Sequence, residues 1–197
     1  MAGVGRRGRT KDPAIDIAVL EATIKVLALE GVAGTSMDRV AAEAGVSKVT
    51  VYSRWPGKSA LIGAALTHLQ VDHVPELTGD TTTDLVALLH EMRRQYDEVG
   101  GMSIVGTCLA AEPRSGELLA LVRESTLLPR RAFFVRVLRD GVERGDLRAD
   151  LDVERATSLI IGVLYADHLA GIPGGPDWAA SVVDDALRGL AGGGVRP

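Results

Sequence analysis

The chain has 197 residues, enough for one large domain or two small ones, and 46% of them are apolar. Aromatic residues make up only 4%, so the core must be built from Leu, Val, Ala and Ile, as is typical of helical proteins. No apolar run is long enough to cross a bilayer, and no apolar segment follows the basic N-terminus as it would in a secretory signal. The single cysteine, Cys108, excludes an internal disulfide and fits a reducing cytoplasm. Without a spanning apolar run, no membrane partner is expected.

The net charge of −4 conceals a division along the chain. Up to Lys58 there are nine Lys and Arg against six Asp and Glu, a balance of +3. The remainder has thirteen against twenty, a balance of −7. Such an asymmetry is typical of a protein that meets phosphates with one end only.

The first eleven residues form a basic arm, in which glycines alternate with Arg6, Arg7, Arg9 and Lys11. Two interpretations remain open, a disordered solvated tail and an arm that lies along the DNA backbone or enters the minor groove. Both hold if the arm becomes ordered only on binding.

The first helix is predicted to begin at Asp12-Pro13, a capping residue followed by proline at the first helical position. Gly31 and Gly34 are predicted to end it. Its buried face is expected to consist of Ile17, Leu20, Ile24 and Leu27.

Residues 36–55 have the pattern of two short helices joined by a tight turn. An apolar stripe at helical spacing comes first and consists of Met37, Val40, Ala41 and Ala44. Gly45 then supplies the left-handed backbone that ends a helix sharply. Ser36 is placed to cap the first helix, and Ser47 to cap a second that runs through Val51 to Trp55.

With Val51 turned inward, the second of these helices presents a polar face. It consists of Ser47, Lys48, Val49, Tyr52 and Ser53, with Thr50 and Arg54 at its margins. An ordinary solvated face is the alternative, but the spacing of Ala41, Gly45 and Val51 together with the basic balance favours a recognition helix in a DNA major groove.

The same stretch resembles the signature of the TetR family of transcriptional regulators. The matching residues are Ala41-Ala42-Glu43-Ala44-Gly45-Val46-Ser47 and Thr50-Val51-Tyr52-Ser53-Arg54-Trp55-Pro56-Gly57-Lys58-Ser59-Ala60-Leu61. Upstream, Val19-Leu20-Glu21-Ala22-Thr23 through Leu29-Glu30-Gly31 is similar to the first helix of that family. The family's usual Tyr-x-x-Phe appears here as Tyr52-Ser53-Arg54-Trp55, which keeps an aromatic residue at the last position.

The resemblance implies an all-α fold of about nine helices, with an N-terminal three-helix helix-turn-helix DNA-binding domain and a C-terminal helical ligand-binding and dimerisation domain. We accordingly divide the chain into an arm (1–11), a DNA-binding domain (12–70), an effector-binding and dimerisation domain (71–191) and a flexible tail (192–197). The predicted DNA-binding residues are Ser36, Ser47, Lys48, Val49, Thr50, Tyr52, Ser53, Arg54 and Lys58.

The resemblance also implies different roles within this set. Tyr52 and Lys58 are expected to hold phosphates, Lys58 together with the amides at the start of its helix. Lys48, Val49, Thr50 and Ser53 are expected to lie nearest the bases. Lys48 is favoured as a direct reader of guanine, whereas Val49 offers only apolar contact, for example to a thymine methyl group. For Arg54 a backbone role and a base role both remain open.

The rest of the chain is predicted to be helical. A fourth helix covers Lys58 to Leu69, and a link follows from Val71 to Asp80. The later helices are predicted from Thr82-Thr83 or Asp84 to Gly100-Gly101, from Met102 to Ala111, from Ser115 to Glu143 with a kink at Pro129, from Val153 to Ala170 with Asp152 as its cap, and from Pro176 to Leu190.

The last two helices are apolar over a wide arc. In the family that the chain resembles, such helices pack against their mates in a four-helix dimer interface, and the alternative is that they only close the core of one subunit. The predicted dimer interface consists of Thr157, Ile160, Ile161, Leu164, Val182, Val183, Ala186, Leu187 and Leu190.

No catalytic, metal or cofactor site is predicted. His68, His73, His90 and His168 are scattered, and Cys108 lies in an apolar run that favours a core residue over a redox sensor. The resemblance implies instead a pocket for a small, apolar effector. Its candidate lining residues, each of which has plain core packing as the alternative, are Met92, Tyr96, Met102, Cys108, Phe133, Phe134, Tyr165 and His168.

The sequence therefore predicts a homodimeric repressor that binds an inverted-repeat operator and is released by a small molecule. Two copies of the recognition helix would lie one turn of DNA apart, roughly 34–36 Å. One rival is an activator or a regulator without a small effector. A rival of another class is an all-α enzyme or ligand carrier that has lost DNA binding.

Overall fold

The computed structural model describes residues 12–69, 74–111 and 116–190, and every regular element in these ranges is helical. The elements are α1 (Pro13–Gly34), α2 (Met37–Glu43), α3 (Lys48–Tyr52), α4 (Lys58–His68), α5 (Thr81–Val99), α6 (Gly101–Ala111), α7 (Glu117–Val122), a π turn (Arg123–Leu127), α8 (Leu128–Arg144), α9 (Val153–Ala170) and α10 (Trp178–Leu190). The all-α prediction is confirmed, and α7, the π turn and α8 form one continuous segment where a single helix is predicted. The basic arm, His73, Pro113 and the tail lie outside the described residues, as does the side chain of Leu190.

Helix α1 begins as predicted, because the Asp12 carboxylate accepts a hydrogen bond from the amide of Ala14 at 3.0 Å. Gly31, with φ of 65°, breaks the helical path three residues before the end. The prediction that Ile17 is buried is wrong, since 46% of it is exposed. Helix α1 packs against α2 and α4 with one side and against α6 with another, so its buried residues, among them Val19 and Val26, do not form one stripe.

Three hydrophobic clusters hold the helices together. The first joins α1 to α2, α3 and α4 around Val40 and Val51. The second joins α1 and α4 to α6 and α7, and it contains Cys108. The third lies among α5, α8, α9 and α10 around Phe134. The middle cluster makes α4 part of both halves of the molecule, so the orientation of the N-terminal helices depends on the helices that follow.

The π turn replaces the kink predicted at Pro129. The amide of Leu128 donates to the carbonyl of Arg123, five residues back, and Pro129 then lies in the first turn of α8, where its missing N–H breaks no helical bond. The hydroxyl of Ser125 donates to the carbonyl of Leu66 at 2.9 Å, and that of Thr126 donates to the carbonyl of Leu69. The π turn is thereby tied to the C-terminal end of α4.

The later helices differ little from the prediction. The cap of α5 is Asp80, whose carboxylate accepts from the amide of Thr83 at 2.7 Å, and not a residue at 82–84. Asp84 is buried and accepts from the amides of Thr78 and Gly79 at 2.7 and 3.0 Å. Asp152 caps α9 as predicted, with 3.0 Å to the amide of Arg155. Within the described ranges no helix has the length and apolarity to span a membrane.

Candidate nucleic-acid interface and effector cavity

The helix-turn-helix is positioned by two serine caps and one glycine. The hydroxyl of Ser36 accepts from the amide of Arg39 at 3.1 Å, and that of Ser47 accepts from the amide of Thr50 at 3.2 Å. Gly45 has a φ of 66°, and a Cβ built there would meet no atom within 4 Å. The glycine is thus required by the backbone and not by a lack of space. These features confirm the predicted turn, although α3 ends at Tyr52 and does not reach Trp55.

The outer side of α3 is as exposed as the pattern predicts. Val51 is fully buried, whereas Val49 is 77% exposed and Tyr52 55% exposed. Ser47, Lys48 and Ser53 are exposed as well, and Thr50 is half-buried at the margin. Val49 and Tyr52 thus offer apolar and aromatic surface to a partner on this side of the helix. We call this surface the recognition face.

Two lysines near the recognition face have different surroundings. The ammonium of Lys48 pairs with the carboxylate of Asp38, and both side chains are exposed. The ammonium of Lys58 lies 3.4 Å from the carbonyl of Ala33, and no carboxylate of the described residues pairs with it. Lys58 is therefore free to meet a phosphate, whereas Lys48 must exchange Asp38 for any DNA partner.

Arg54 does not lie on the recognition face. Its side chain is only 10% exposed and pairs with the carboxylate of Asp16 in the first turn of α1. It also donates to the carbonyl of Thr50 at 3.2 Å. In this conformation the guanidinium joins α3 to α1, so either of the two roles considered from the sequence would require it to leave Asp16.

Arg39 is a second arginine that holds the helices in place, and the sequence did not single it out. It bonds to Glu30 at the end of α1 (2.8 Å) and to Glu43 in its own helix (3.0 Å). These hydrogen bonds raise the pKa of the Arg39 guanidinium, and the bond that it donates to Glu30 has the largest effect. The bond of Lys25 and then that of Arg39 lower the pKa of Glu43. The helix-turn-helix is thus fixed to α1 by charged contacts on both sides.

A cavity of about 100 Å³ lies among α5, α6, α8 and the end of α4. Its apolar wall includes Ile104, Val122 and Leu127, and its polar wall includes Tyr96 and Arg130. Thr126, from the π turn, also lines it. Any molecule held here would touch the π turn that grips α4.

The Tyr96 side chain is fixed at the edge of this cavity. Its hydroxyl lies 2.7 Å from that of Tyr165, and the two rings meet edge to face with centroids 5.9 Å apart. Burial, followed by the neighbouring Tyr165, raises the pKa of Tyr96 well above its usual value. The tyrosine therefore remains a neutral hydrogen-bonding group throughout the physiological range.

The predicted pocket residues do not line one common cavity. Tyr96 lines the cavity above, while Met102 and His168 border a smaller one of about 70 Å³ that Tyr96 also touches. Met92, Phe133 and Phe134 surround a void of about 10 Å³. Cys108 is fully buried in the second hydrophobic cluster and lines none of these three cavities. Burial raises the pKa of its thiol to about 11, as expected of a core cysteine.

Arg130 is a charged residue of the cavity that the sequence did not single out. It stands beside Arg131 and looks like part of a charged surface, yet it is only 7% exposed. The signal was its spacing, because it lies four residues before Phe134 on the buried stripe of α8. The position of Arg130 on the helix therefore determines its burial, even though its side chain is charged.

The predicted dimer interface needs correction. Thr157, Ile160 and Val183 are fully buried in the subunit and Leu164 nearly so, so they are closed to a partner in this conformation. The remaining predicted residues with described side chains, Ile161, Val182, Ala186 and Leu187, are half-buried against the same core. The outward face of α9 is instead formed by Leu159, Gly162, Val163, Ala166 and Leu169.

The recognition face lies on a capped helix-turn-helix. Helix α4 joins this unit to a larger helical domain that contains a cavity. Together these features define a helical DNA-binding regulator. Comparison with known proteins supports this class. Residues 75–186 match the family model described as Tetracyclin repressor-like, C-terminal domain, and residues 19–65 match the model of bacterial regulatory proteins, tetR family.

Individual relatives cover nearly the whole chain. The DNA-binding transcriptional repressor TetR of Mycobacteroides abscessus is 30% identical over 192 residues, 96% of this chain and 98% of that protein. The HTH-type transcriptional regulator YdeS of Bacillus subtilis is 27% identical over 187 residues, 94% of each chain. The solved structure of the TetR family transcription regulator SCO0332 is 29% identical, has a TM-score of 0.60, and covers 90% of this chain and 98% of its own. The chain therefore belongs to the TetR family and is a DNA-binding transcriptional regulator.

Proposed function

We propose that the protein is a cytoplasmic, homodimeric repressor that a small molecule releases from an inverted-repeat operator. The observation that carries the proposal is the connection between the cavity and α4, the helix that follows the recognition face. The Mycobacteroides abscessus relative, which is named a repressor, supports the sign of regulation.

The recognition face would enter the major groove. Lys48 would leave Asp38 and reach guanine acceptors, and Val49 would contact a thymine methyl group. Tyr52 and Lys58 would hold phosphates on either side, and these contacts give affinity without sequence choice. Ser36, Ser47, Thr50 and Ser53 would complete the contact surface around them.

The test of DNA binding uses a duplex from upstream of the protein's own gene and an unrelated duplex of equal length. Lys58→Ala and Tyr52→Ala should weaken binding to both, whereas Lys48→Ala should also reduce the preference between them. With six to ten phosphate contacts per dimer, the affinity should fall by about 10³–10⁵ between roughly 50 and 200 mM salt. Wild-type affinity in all three variants would show that another surface binds DNA.

The dimer would form through the outward faces of α9 and α10. On α9, Leu159 is 58% exposed and Leu169 86% exposed, and the small residues Gly162 and Ala166 lie between them. Two such faces can approach closely because the small residues leave room for a partner helix. Burial of this stripe in each copy would also set the spacing of the two recognition faces.

Light scattering after size exclusion tests this assembly. Ala166→Arg adds a charge to an exposed position and should leave a folded monomer, because nothing inside the subunit is displaced. Leu109→Arg is the matched control, since Leu109 is also exposed (50%) but lies on α6. A dimer that survives Ala166→Arg, or that is lost equally in Leu109→Arg, would contradict the proposed face.

Release would proceed through the π turn. A molecule in the cavity touches Val122, Thr126 and Leu127, and the turn holds α4 through the hydroxyls of Ser125 and Thr126. An effector that binds more tightly when the π turn is displaced would shift the population toward that conformation. In that conformation the spacing of the two recognition faces would no longer match the operator. Single π turns within α-helices are frequent at functional sites.

Thr126→Val tests this route because it removes one hydroxyl and keeps the shape of the side chain. The variant should bind the operator but need more effector for release, as the turn no longer carries the whole displacement to α4. Ser158→Ala, on the surface of α9, is the control for loss of a helical hydroxyl. An unchanged release curve in Thr126→Val would exclude this path.

A further inference from the structure

The cavity contains a positive charge that the protein does not neutralise. Nη2 of Arg130 donates to Oε1 of Gln95 at 2.6 Å, and the guanidinium carbon lies 5.0 Å from the centre of the Tyr96 ring. Nη1 is buried and has no hydrogen-bond partner. Among the described residues no carboxylate forms an ion pair with this arginine, although thirteen ion pairs form between other residues there.

Such a placement is unfavourable for the protein alone. A guanidinium does not lose its proton in proteins, so burial cannot be relieved by neutralisation. The amide dipole of Gln95 and the face of Tyr96 stabilise the charge only in part. An anion that enters from outside would supply the missing partner, and Nη1 is the atom that lacks one.

The charges around the cavity favour an anion as well. Besides Arg130, the charged residues that line it are Arg94 and Glu98, and these two pair with each other. Arg94 also pairs with Glu91. Arg130 therefore sets the charge at the buried end of the cavity. The carboxylate of Glu98, which also lines the cavity, is already paired with Arg94.

The opposite wall determines the rest of the ligand. Ile104, Val105, Val122 and Leu127 offer only apolar surface. A cavity of about 100 Å³ is smaller than the cavity of about 150 Å³ that holds benzene, so it suits a short chain, and one ring only when its walls move apart. The apolar body and the anionic group would thus contact opposite sides of the site.

We propose that this cavity binds a small organic monocarboxylate, whose carboxylate pairs with Nη1 of Arg130 while its apolar part lies against Ile104, Val122 and Leu127. This inference rests on the proposed effector function of the cavity and differs from the apolar effector expected from the sequence. The pair would form a charge-assisted hydrogen bond at a nitrogen that is buried and otherwise without a partner. Val122 precedes the π turn and Leu127 ends it, so the same molecule would press on the connection to α4.

The test is calorimetric titration of the full-length protein with a set of acids and their neutral amides. The set comprises benzoate, phenylacetate, butyrate, hexanoate and octanoate, each paired with its amide, and inorganic phosphate. At least one acid should bind at least about tenfold more tightly than its amide, and phosphate should not bind. This comparison needs no variant. Acids and amides of equal affinity, no acid that binds below millimolar concentration, or phosphate that binds as tightly as the best acid would each overturn the proposal.

Arg130→Met then assigns the charge. This variant should lose about 10- to 100-fold in affinity for the best acid and leave the amide unchanged. Arg131→Met is the matched control, because Arg131 is the neighbouring guanidinium but pairs with Glu154 on the surface. Wild-type affinity for the acid in Arg130→Met, or an equal loss in Arg131→Met, would refute the assignment.

Operator release, measured separately, distinguishes the two proposals. An acid that binds through Arg130 without affecting the operator complex would leave the binding site established and refute the effector function. A neutral apolar molecule that releases the operator equally from the wild type and Arg130→Met would refute the carboxylate site and leave effector release intact.

Discussion

The contact between Arg54 and Asp16 allows a direct test of how α3 is held for DNA binding. Arg54 is 10% exposed at its side chain and Asp16 39%, so the pair is partly screened by water. A charge-assisted hydrogen bond of this kind contributes about 1.5–3 kcal/mol when buried, which solvent reduces here to about 1 kcal/mol. If the contact positions the recognition face, its loss should weaken operator binding about fivefold per subunit, or about 25-fold for a dimer.

The decisive variant is Asp16→Asn, since the two possible roles of Arg54 predict opposite signs. If Arg54 only positions α3, Asp16→Asn weakens operator binding, and the double variant with Arg54→Gln is no weaker than Arg54→Gln alone. If Arg54 contacts a phosphate, Asp16→Asn frees the guanidinium and binding becomes tighter. Fluorescence anisotropy with the upstream duplex measures the affinities, and urea unfolding should show a loss of about 1 kcal/mol.

Glu21→Gln is the control, because it removes an equal charge from an exposed position on the same helix. Any general effect of net charge on DNA affinity would appear there as well. Operator binding by Asp16→Asn that equals or exceeds that of Glu21→Gln would refute the positioning role.

Three further predictions concern stability and reactivity. Because burial raises the pKa of the Cys108 thiol to about 11, iodoacetamide at about pH 8 should label it only after unfolding, and rapid labelling of the native protein would contradict its burial. The amide of Arg155 lowers the pKa of Asp152, so the unfolded chain takes up this proton first and stability falls as the pH drops below about 4. Asp152→Asn should flatten this acid dependence of the melting temperature, and an equally steep curve would count against it. Leu138→Ala, at a fully buried position, should lower the free energy of unfolding by about 2–5 kcal/mol, whereas Leu109→Ala at a half-exposed one should cost less than about 0.5.

The features that the sequence predicted well are local ones. The caps at Ser36, Ser47 and Asp152 and the left-handed Gly45 depend on atoms within about four residues, so the residue types nearly determine them. The recognition face follows from these, since the orientation of a short helix is fixed once its cap and Val51 are placed.

What the sequence left open depends on contacts between distant residues. Arg54 and Asp16 are 38 positions apart, and nothing near either residue indicates the other. Arg130 and Gln95 are 35 positions apart, and their bond requires the packing of α5 against α8. The burial of Thr157 and Ile160 inside the subunit depends likewise on which side of α9 packs against α8. Because two sides of α9 are apolar, the sequence alone does not indicate which one is buried.

The π turn has a consequence for the length of the chain. Val122, Thr126, Arg130 and Phe134 recur every four residues on the buried side, whereas an α-helix completes a turn in about 3.6, so each step would drift by about 40°. The wider turn takes up this drift and keeps the guanidinium facing inward. One residue is in effect surplus to an α-helical path, and its removal would restore the usual winding without rotating α8. A deletion of one residue between Val122 and Leu128 is therefore expected to leave Arg130 facing the cavity.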